Sequence, residues 1–227
     1  MKEKIKYLRW FDILIVTIIL FGTAIYGSTV NFLTIDNINI NQEINFSKVD
    51  NIRSIIMEII ELILAFFYLY LRKFDFSQWK YKITLKGTIF SIFLFIIVSL
   101  IIDATDLLFY GFKSSISSIG SYGFIEIFKN IDIHLVLFSL LNGFYEEIFF
   151  LGICTCVNKK NQLISLIYSV FIRISFHTYQ GLISSLQIGL ILGIIFYVFY
   201  KKDKNLYPFM LSHSIADTIG LGIIQLL

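Results

Sequence analysis

The chain has 227 residues, of which 57% are hydrophobic and 15% charged, against about 25% charged in an ordinary soluble domain. That composition cannot cover a water-soluble surface, and the apolar residues are grouped into runs of roughly 18 to 20, the length that crosses a bilayer core as helix. The net charge of +3 does not point to nucleic acid, because the basic residues lie in short segments between the apolar runs.

Hydropathy predicts seven membrane helices over 10–30, 54–71, 83–102, 134–156, 163–179, 182–200 and 206–227, an all-α polytopic bundle. A β-barrel is excluded, since the runs are apolar on every face and do not alternate. The first run follows a basic stretch but is long for a signal sequence and lacks a small-x-small cleavage site, so it reads as an uncleaved helix. Lys2, Lys4, Lys6 and Arg9 precede it. Arg72, Lys73, Lys80, Lys82 and Lys86 follow the second helix, Lys159 and Lys160 the fourth, and Lys201, Lys202 and Lys204 the sixth. If the helices alternate, all fourteen fall on one side, which predicts a cytoplasmic N-terminus, an external C-terminus and a multi-pass protein with lipid around it; the small Ile-, Lys- and Asn-rich chain adds the expectation of a bacterial plasma membrane. The opposite segments, 31–53 and 103–133, hold Asp36, Glu43, Asp50, Asp103, Asp106, Glu126 and Asp132 with few bases.

No linker or internal repeat divides the chain, so it reads as one membrane domain with two unlike parts. Residues 1–133 give three mostly aliphatic helices and outer loops, whereas 134–227 carry nearly all the unusual polar residues. Within the outer segment, 114–129 reads equally as an interfacial amphipathic helix or as a loop. Asn45-Phe46-Ser47 matches a glycosylation acceptor, a pattern too short to carry weight. Ser185, Gly189 and Gly193 put small side chains on one face of the sixth helix, where a neighbour can approach closely. Pro208 falls at the start of the last helix, where its missing N–H costs nothing. Cys154 and Cys156, two apart on a helix, make neither a CxxC site nor a disulfide.

Ionisable side chains inside a membrane cost a few kcal/mol and normally face a protein interior. Glu146 and Glu147 stand side by side in the fourth helix, Arg173 and His177 one turn apart in the fifth, and His213 and Asp217 one turn apart in the seventh. Glu58 and Glu61 in the second helix have no such partners nearby in sequence and read as structural or solvated, and His134 reads as an interfacial anchor. Two imidazoles and a carboxylate match the His₂Glu ligand set of a catalytic zinc, here Glu146, His177 and His213, which would leave one position open for water. Adjacent glutamates lie about 100° apart around a helix, so both cannot point squarely at one atom. Counted from the basic ends, Glu146 and His213 lie about 10 to 15 Å deep and His177 about 22 Å. A shared plane would need the fifth helix to tilt or to start deeper, with 158–162 dipping inward.

Glu-Glu-x-x-x-x-Gly at 146–152, a His about 30 residues later and His-x-x-x-Asp at 213–217 resemble the three motifs of the CAAX-protease and bacteriocin-processing (Abi) family of intramembrane metallopeptidases, over about 134–222. The resemblance implies that Glu146, with His177, activates the attacking water. It also implies that His213 and Asp217 complete the site or hold the oxyanion, and that Glu147 supports Glu146. Whether a zinc ion takes part or a carboxylate alone activates the water stays open. Two positions depart from the pattern: Leu151 stands where the family has Arg, and Arg173 where it has Phe. Arg173 could thus supply the missing cation from the neighbouring helix. The expected activity is hydrolysis of a peptide bond in a hydrophobic or amphipathic peptide, in bacteriocin self-immunity or in peptide signal or leader processing. The alternative is a non-enzymatic immunity or partner-binding protein on the same scaffold, and a small transporter is disfavoured because no inverted repeat or broken helix pair appears.

Overall fold

The computed structural model describes residues 4–34, 47–111 and 131–222. Seven helices follow in order: α1 Trp10–Thr34, α2 Lys48–Leu71, α3 Leu85–Tyr110, α4 Ile133–Ile153, α5 Gln162–His177, α6 Leu182–Asp203 and α7 Tyr207–Ile219. Five of them, α1, α2, α3, α4 and α6, are long and apolar enough to cross a membrane. With 16 and 13 residues, α5 and α7 reach only about 24 and 20 Å. Short 3₁₀ turns, Lys159–Asn161 and Thr178–Gln180, extend α5 at both ends. The last helix stops at Ile219 instead of continuing through 222, because Gly220 takes φ +96°, a backbone state that suits glycine and ends helices. Residues 223–227, the 114–129 segment and the Asn45-Phe46 part of the acceptor pattern lie outside the described residues.

Local chemistry sets the helix starts. Ser47 and Asp50 form a reciprocal capping box at α2, the Thr84 side chain caps α3, and the Asp132 carboxylate accepts from His134 N at α4, each satisfying an N–H that the helix leaves unpaired. That backbone bond from His134 also holds the Asp132 carboxyl below its usual range. Pro208 sits in the first turn of α7, as its sequence position predicts.

The segments that carry the basic residues meet in one closed layer. Ile5 bridges Phe74 and Lys80 bridges Asn205; Leu8 N donates to Cys156 O at 2.7 Å, and Trp79 Nε1 to Gly152 O at 3.0 Å. Phe74, Phe76 and Trp79 pack their rings together beside it. These contacts gather the basic segments at one end of the bundle. Cys154 and Cys156 are both buried as free thiols.

The two unlike parts of the chain form one bundle in which α4 is central. Of the most apolar stretch of α4, 61% is buried inside the protein, against 28 to 39% for the other four long helices. Its neighbours are α2 and α7. Gly143 permits the close approach of α7, since a Cβ there would lie 2.5 Å from Met210 O and would strike Ser214 Oγ. The small face predicted on α6 is used the same way: a Cβ on Gly189 would run into Ile174 of α5, and Ser185 is fully buried.

Candidate active site

Glu146 and Glu147 end the regular part of α4, and from Ile148 to Ile153 the helix widens into π turns, with Cys154 N donating to Phe149 O five residues back. Such bulges recur at functional sites because they rotate the side chains that follow them. Phe21 packs against Tyr145, Phe149, Phe150 and Phe176 with ring centroids 4.7 to 5.5 Å apart. An aromatic cluster therefore packs beside the carboxylates.

A single bond sets the register of α5 against α4. Ser165 Oγ donates to Cys154 O at 2.6 Å, and eight residues along each antiparallel helix from that pair stand Arg173 and Glu146, about 12 Å away on both. Arg173 thus lies in the plane of the glutamates, and α5 begins level with the end of α4 rather than deeper, since Ser165 in its first turn pairs with Cys154. His177 is one turn further on.

Arg173, 1% exposed, bridges both glutamates: Nη2 donates to Glu147 Oε1 at 2.9 Å, and Nη1 lies 3.4 Å from Glu146 Oε2. Its guanidinium carbon sits 3.9 Å from the Phe150 ring centroid, so one face of the cation rests on an aromatic quadrupole. His213 meets the same two acids. Its Nδ1 is 2.7 Å from Glu147 Oε1, and its Nε2 is 3.7 Å from Glu146 Oε2 and 3.6 Å from Asp217 Oδ1. The glutamates therefore share two partners but reach different atoms of each, which is how neighbours 100° apart can serve one site. A carboxylate can only accept at Nδ1, so that nitrogen carries a proton and Nε2 is the atom turned to Glu146 and Asp217.

His177 Nδ1 is 2.8 Å from Arg173 O. A carbonyl also only accepts, which leaves Nε2 as the basic nitrogen of the neutral ring. Phe176 packs against this imidazole at 4.2 Å between centroids. The close donor group among the described residues is Glu146, Glu147 and His213, whose ligand atoms lie within 4.8 Å of one another; His177 is outside it. Two carboxylates and an imidazole are hard and borderline donors of the kind zinc takes. Glu147 Oε2 is also buried without a hydrogen-bond partner, so the residues present fit a divalent cation.

Two contributors were not assigned from the sequence. Asn142 Nδ2 donates to Asp217 Oδ2 at 2.7 Å and lies 3.3 Å from Glu146 Oε1, tying α4 to α7. Its position four residues before Glu146 was the available signal. The other is Glu58, 9% exposed, on the face of α2 turned to α4. Glu146, Asp217, Glu61 and His213 lie near enough to act on its charge, so it belongs to the surroundings of the site rather than to a solvated helix face. Glu61 is structural, as expected: its carboxylate accepts from Tyr145 Oη at 2.6 Å and from Thr23 Oγ1 at 3.1 Å. The Tyr145 hydroxyl also contacts Leu20 O. His134 pairs with Asp132 at the end of α4, away from the site.

The arrangement is a buried acid pair held by one arginine, with two imidazoles each presenting Nε2. Residues 130–219, which contain α4 to α7 and all six residues singled out by their polarity, match the family model for Type II CAAX prenyl endopeptidase Rce1-like. Searches of curated proteins and of solved structures gave no match.

Proposed function

We propose, on the match of residues 130–219 to the Type II CAAX prenyl endopeptidase Rce1-like model, that the chain is a CAAX-type intramembrane endopeptidase acting on a hydrophobic or amphipathic peptide. The observation that carries this is the Arg173 bridge to Glu146 and Glu147. It provides the cation that the motif lacks at Leu151, and it keeps two adjacent carboxylates in a dry site, where unpaired like charges would not both stay ionised.

Glu146 is the general base. It takes a proton from a water molecule whose oxygen attacks the peptide carbonyl carbon, with His177 Nε2 holding the water from the other side. Negative charge develops on the carbonyl oxygen next to His213, whose ring donates towards it, with Asp217 and Asn142 fixing that ring and its helix. When the C–N bond breaks, the proton held by Glu146 passes to the leaving amine. Glu147 does not need to touch the substrate: bound by Arg173 and by His213 Nδ1, it orients both. A zinc ion, held by Glu146 and His213 with either Glu147 or the sequence-predicted His177, would supply a more acidic water and a Lewis acid at the carbonyl.

The biological setting we infer is bacteriocin self-immunity or the processing of a peptide signal or leader, at the cell membrane with the N-terminus in the cytoplasm. The positive-inside distribution of the basic loops supports that orientation. The second reading, a non-enzymatic immunity or partner-binding protein, draws on Leu151 in place of the family's Arg, and the Arg173 bridge weighs against it. The test uses purified full-length protein in lipid nanodiscs and a library of quenched fluorescent amphipathic peptides. Wild type should cleave, and Glu146→Gln, His177→Ala and His213→Ala should each lose about 10²- to 10⁴-fold in rate at near-normal membrane levels. Full activity in all three variants would end the enzyme reading.

A further inference from the structure

Every other carboxylate around the site has a donor. Glu147 has Arg173 and His213, Glu146 has Arg173 and Asn142, Asp217 has Asn142, and Glu61 has Tyr145 and Thr23. Glu58 is the exception: it is nine-tenths buried, and its Oε2 has no hydrogen-bond partner. Of the ionisable groups that act on its charge, Glu146, Asp217 and Glu61 are acids, and His213 already points Nδ1 at Glu147. The guanidinium of Arg173 is committed to α4. A buried carboxyl among acids, without a cation of its own, is costly to ionise unless a positive group arrives from outside.

We propose that Glu58, with Asp217 nearby, forms an acidic subsite that receives a protonated amine of the substrate, a lysine side chain close to the scissile bond. This rests on the peptidase reading and names the class of peptide that the site prefers. A metal ion is a poorer occupant of this particular place, because Glu58 is not part of the close donor group formed by Glu146, Glu147 and His213, and a metal needs several ligand atoms at about 2 Å. An ammonium on a four-carbon stem needs no such convergence: its three donors can serve two carboxylates at hydrogen-bond distance while the stem lies along apolar helix surface. Asp217, a quarter exposed at its side chain, is the more open of the two acids and meets the amine first. Asn142 takes its Oδ2, and its Oδ1, 3.6 Å from His213 Nε2 and so beyond a hydrogen bond to it, can accept from the amine. Glu58 is then a specificity-determining residue, and it acts on the bound peptide rather than on the water.

The experiment compares two quenched fluorescent amphipathic peptides that differ only in carrying lysine or norleucine, placed in turn at each position around the cleavage point, with full-length protein in nanodiscs. At one position wild type should favour the lysine peptide by about tenfold or more in kcat/KM, the worth of a charge-assisted hydrogen bond. In Glu58→Gln that ratio should fall towards one, and Glu58→Asp should restore part of it, which a merely structural role for Glu58 would not produce. Equal cleavage of both peptides by wild type at every position, or an unchanged ratio in Glu58→Gln, overturns the subsite and leaves the peptidase reading standing. Cleavage of no peptide overturns the peptidase reading and the subsite with it.

Discussion

Two clusters inside the bundle pair an arginine with carboxylates, and they are satisfied to different degrees. Near the basic layer Asp12, fully buried, accepts from Arg72 Nε at 2.6 Å, Tyr68 Oη at 2.7 Å and Arg9 N at 3.0 Å. One acid meets donors from three residues there, and the arginine side chain is 33% exposed, so its remaining N–H groups reach water. In the site one arginine, 1% exposed, serves two glutamates, two more acids face them, and oxygens of Glu147 and Glu58 go unpaired. The first cluster ties α1 to α2. The second keeps more acid than its own donors can satisfy, which a fold retains in a low-dielectric interior where water, a cation or a substrate is handled.

This contrast can be broken by changing the spacing that creates the site. A methyl group added at Gly143 would lie 2.5 Å from Met210 O, so Gly143→Ala should push α7 from α4 and cost about 1 to 3 kcal/mol. It should also lower turnover, because the bond from His213 to Glu147 crosses that contact. Thermal unfolding and peptide hydrolysis on the same preparation measure both, and loss of stability alone would mean that the helix spacing does not tune the site.

At the other cluster the expected effect is smaller and of one kind. Asp12→Asn keeps an acceptor but removes the charge, and should cost about 1.5 kcal/mol, since Arg72 can turn to water. Turnover per folded molecule should not change. A fall in kcat without a fall in stability would show that the two clusters are coupled after all.

The smallest perturbation leaves both clusters intact and asks only which way the bundle faces. A reporter active only outside the cell should work when fused after Leu227 or near Asn41 and stay silent after Asn158 or Lys202. Signal at Lys202 would reverse the orientation, and silence at Leu227 alone would mean that the last segment does not cross.

Much of this was legible before any coordinates. Long apolar runs fix membrane helices whatever their packing, and ionisable residues are rare enough in such runs that Glu146, Glu147, Arg173, His177, His213 and Asp217 stand out by polarity alone. What escaped was of two kinds. Hydropathy does not register backbone state, so the π turns after Glu147 and the stop at Gly220 were invisible, although a glycine at that point is a known terminator. Contacts across helices escaped as well: Glu58 meets the site over 88 residues of chain, and no periodicity along α2 can show which helix lies opposite. Asn142 falls between these cases, since it shares the face of Glu146 but carries no charge to draw notice.

The central claim, that the two clusters differ in kind, is tested most directly by removing the arginine from each. Arg173→Leu and Arg72→Leu, purified full-length into nanodiscs, are compared in hydrolysis rate per folded molecule against wild type. The account predicts that Arg173→Leu, in the fraction that still folds, loses nearly all hydrolysis, while Arg72→Leu lowers the unfolding temperature and keeps a wild-type rate. Wild-type hydrolysis by folded Arg173→Leu, or equal losses in both variants, would contradict it.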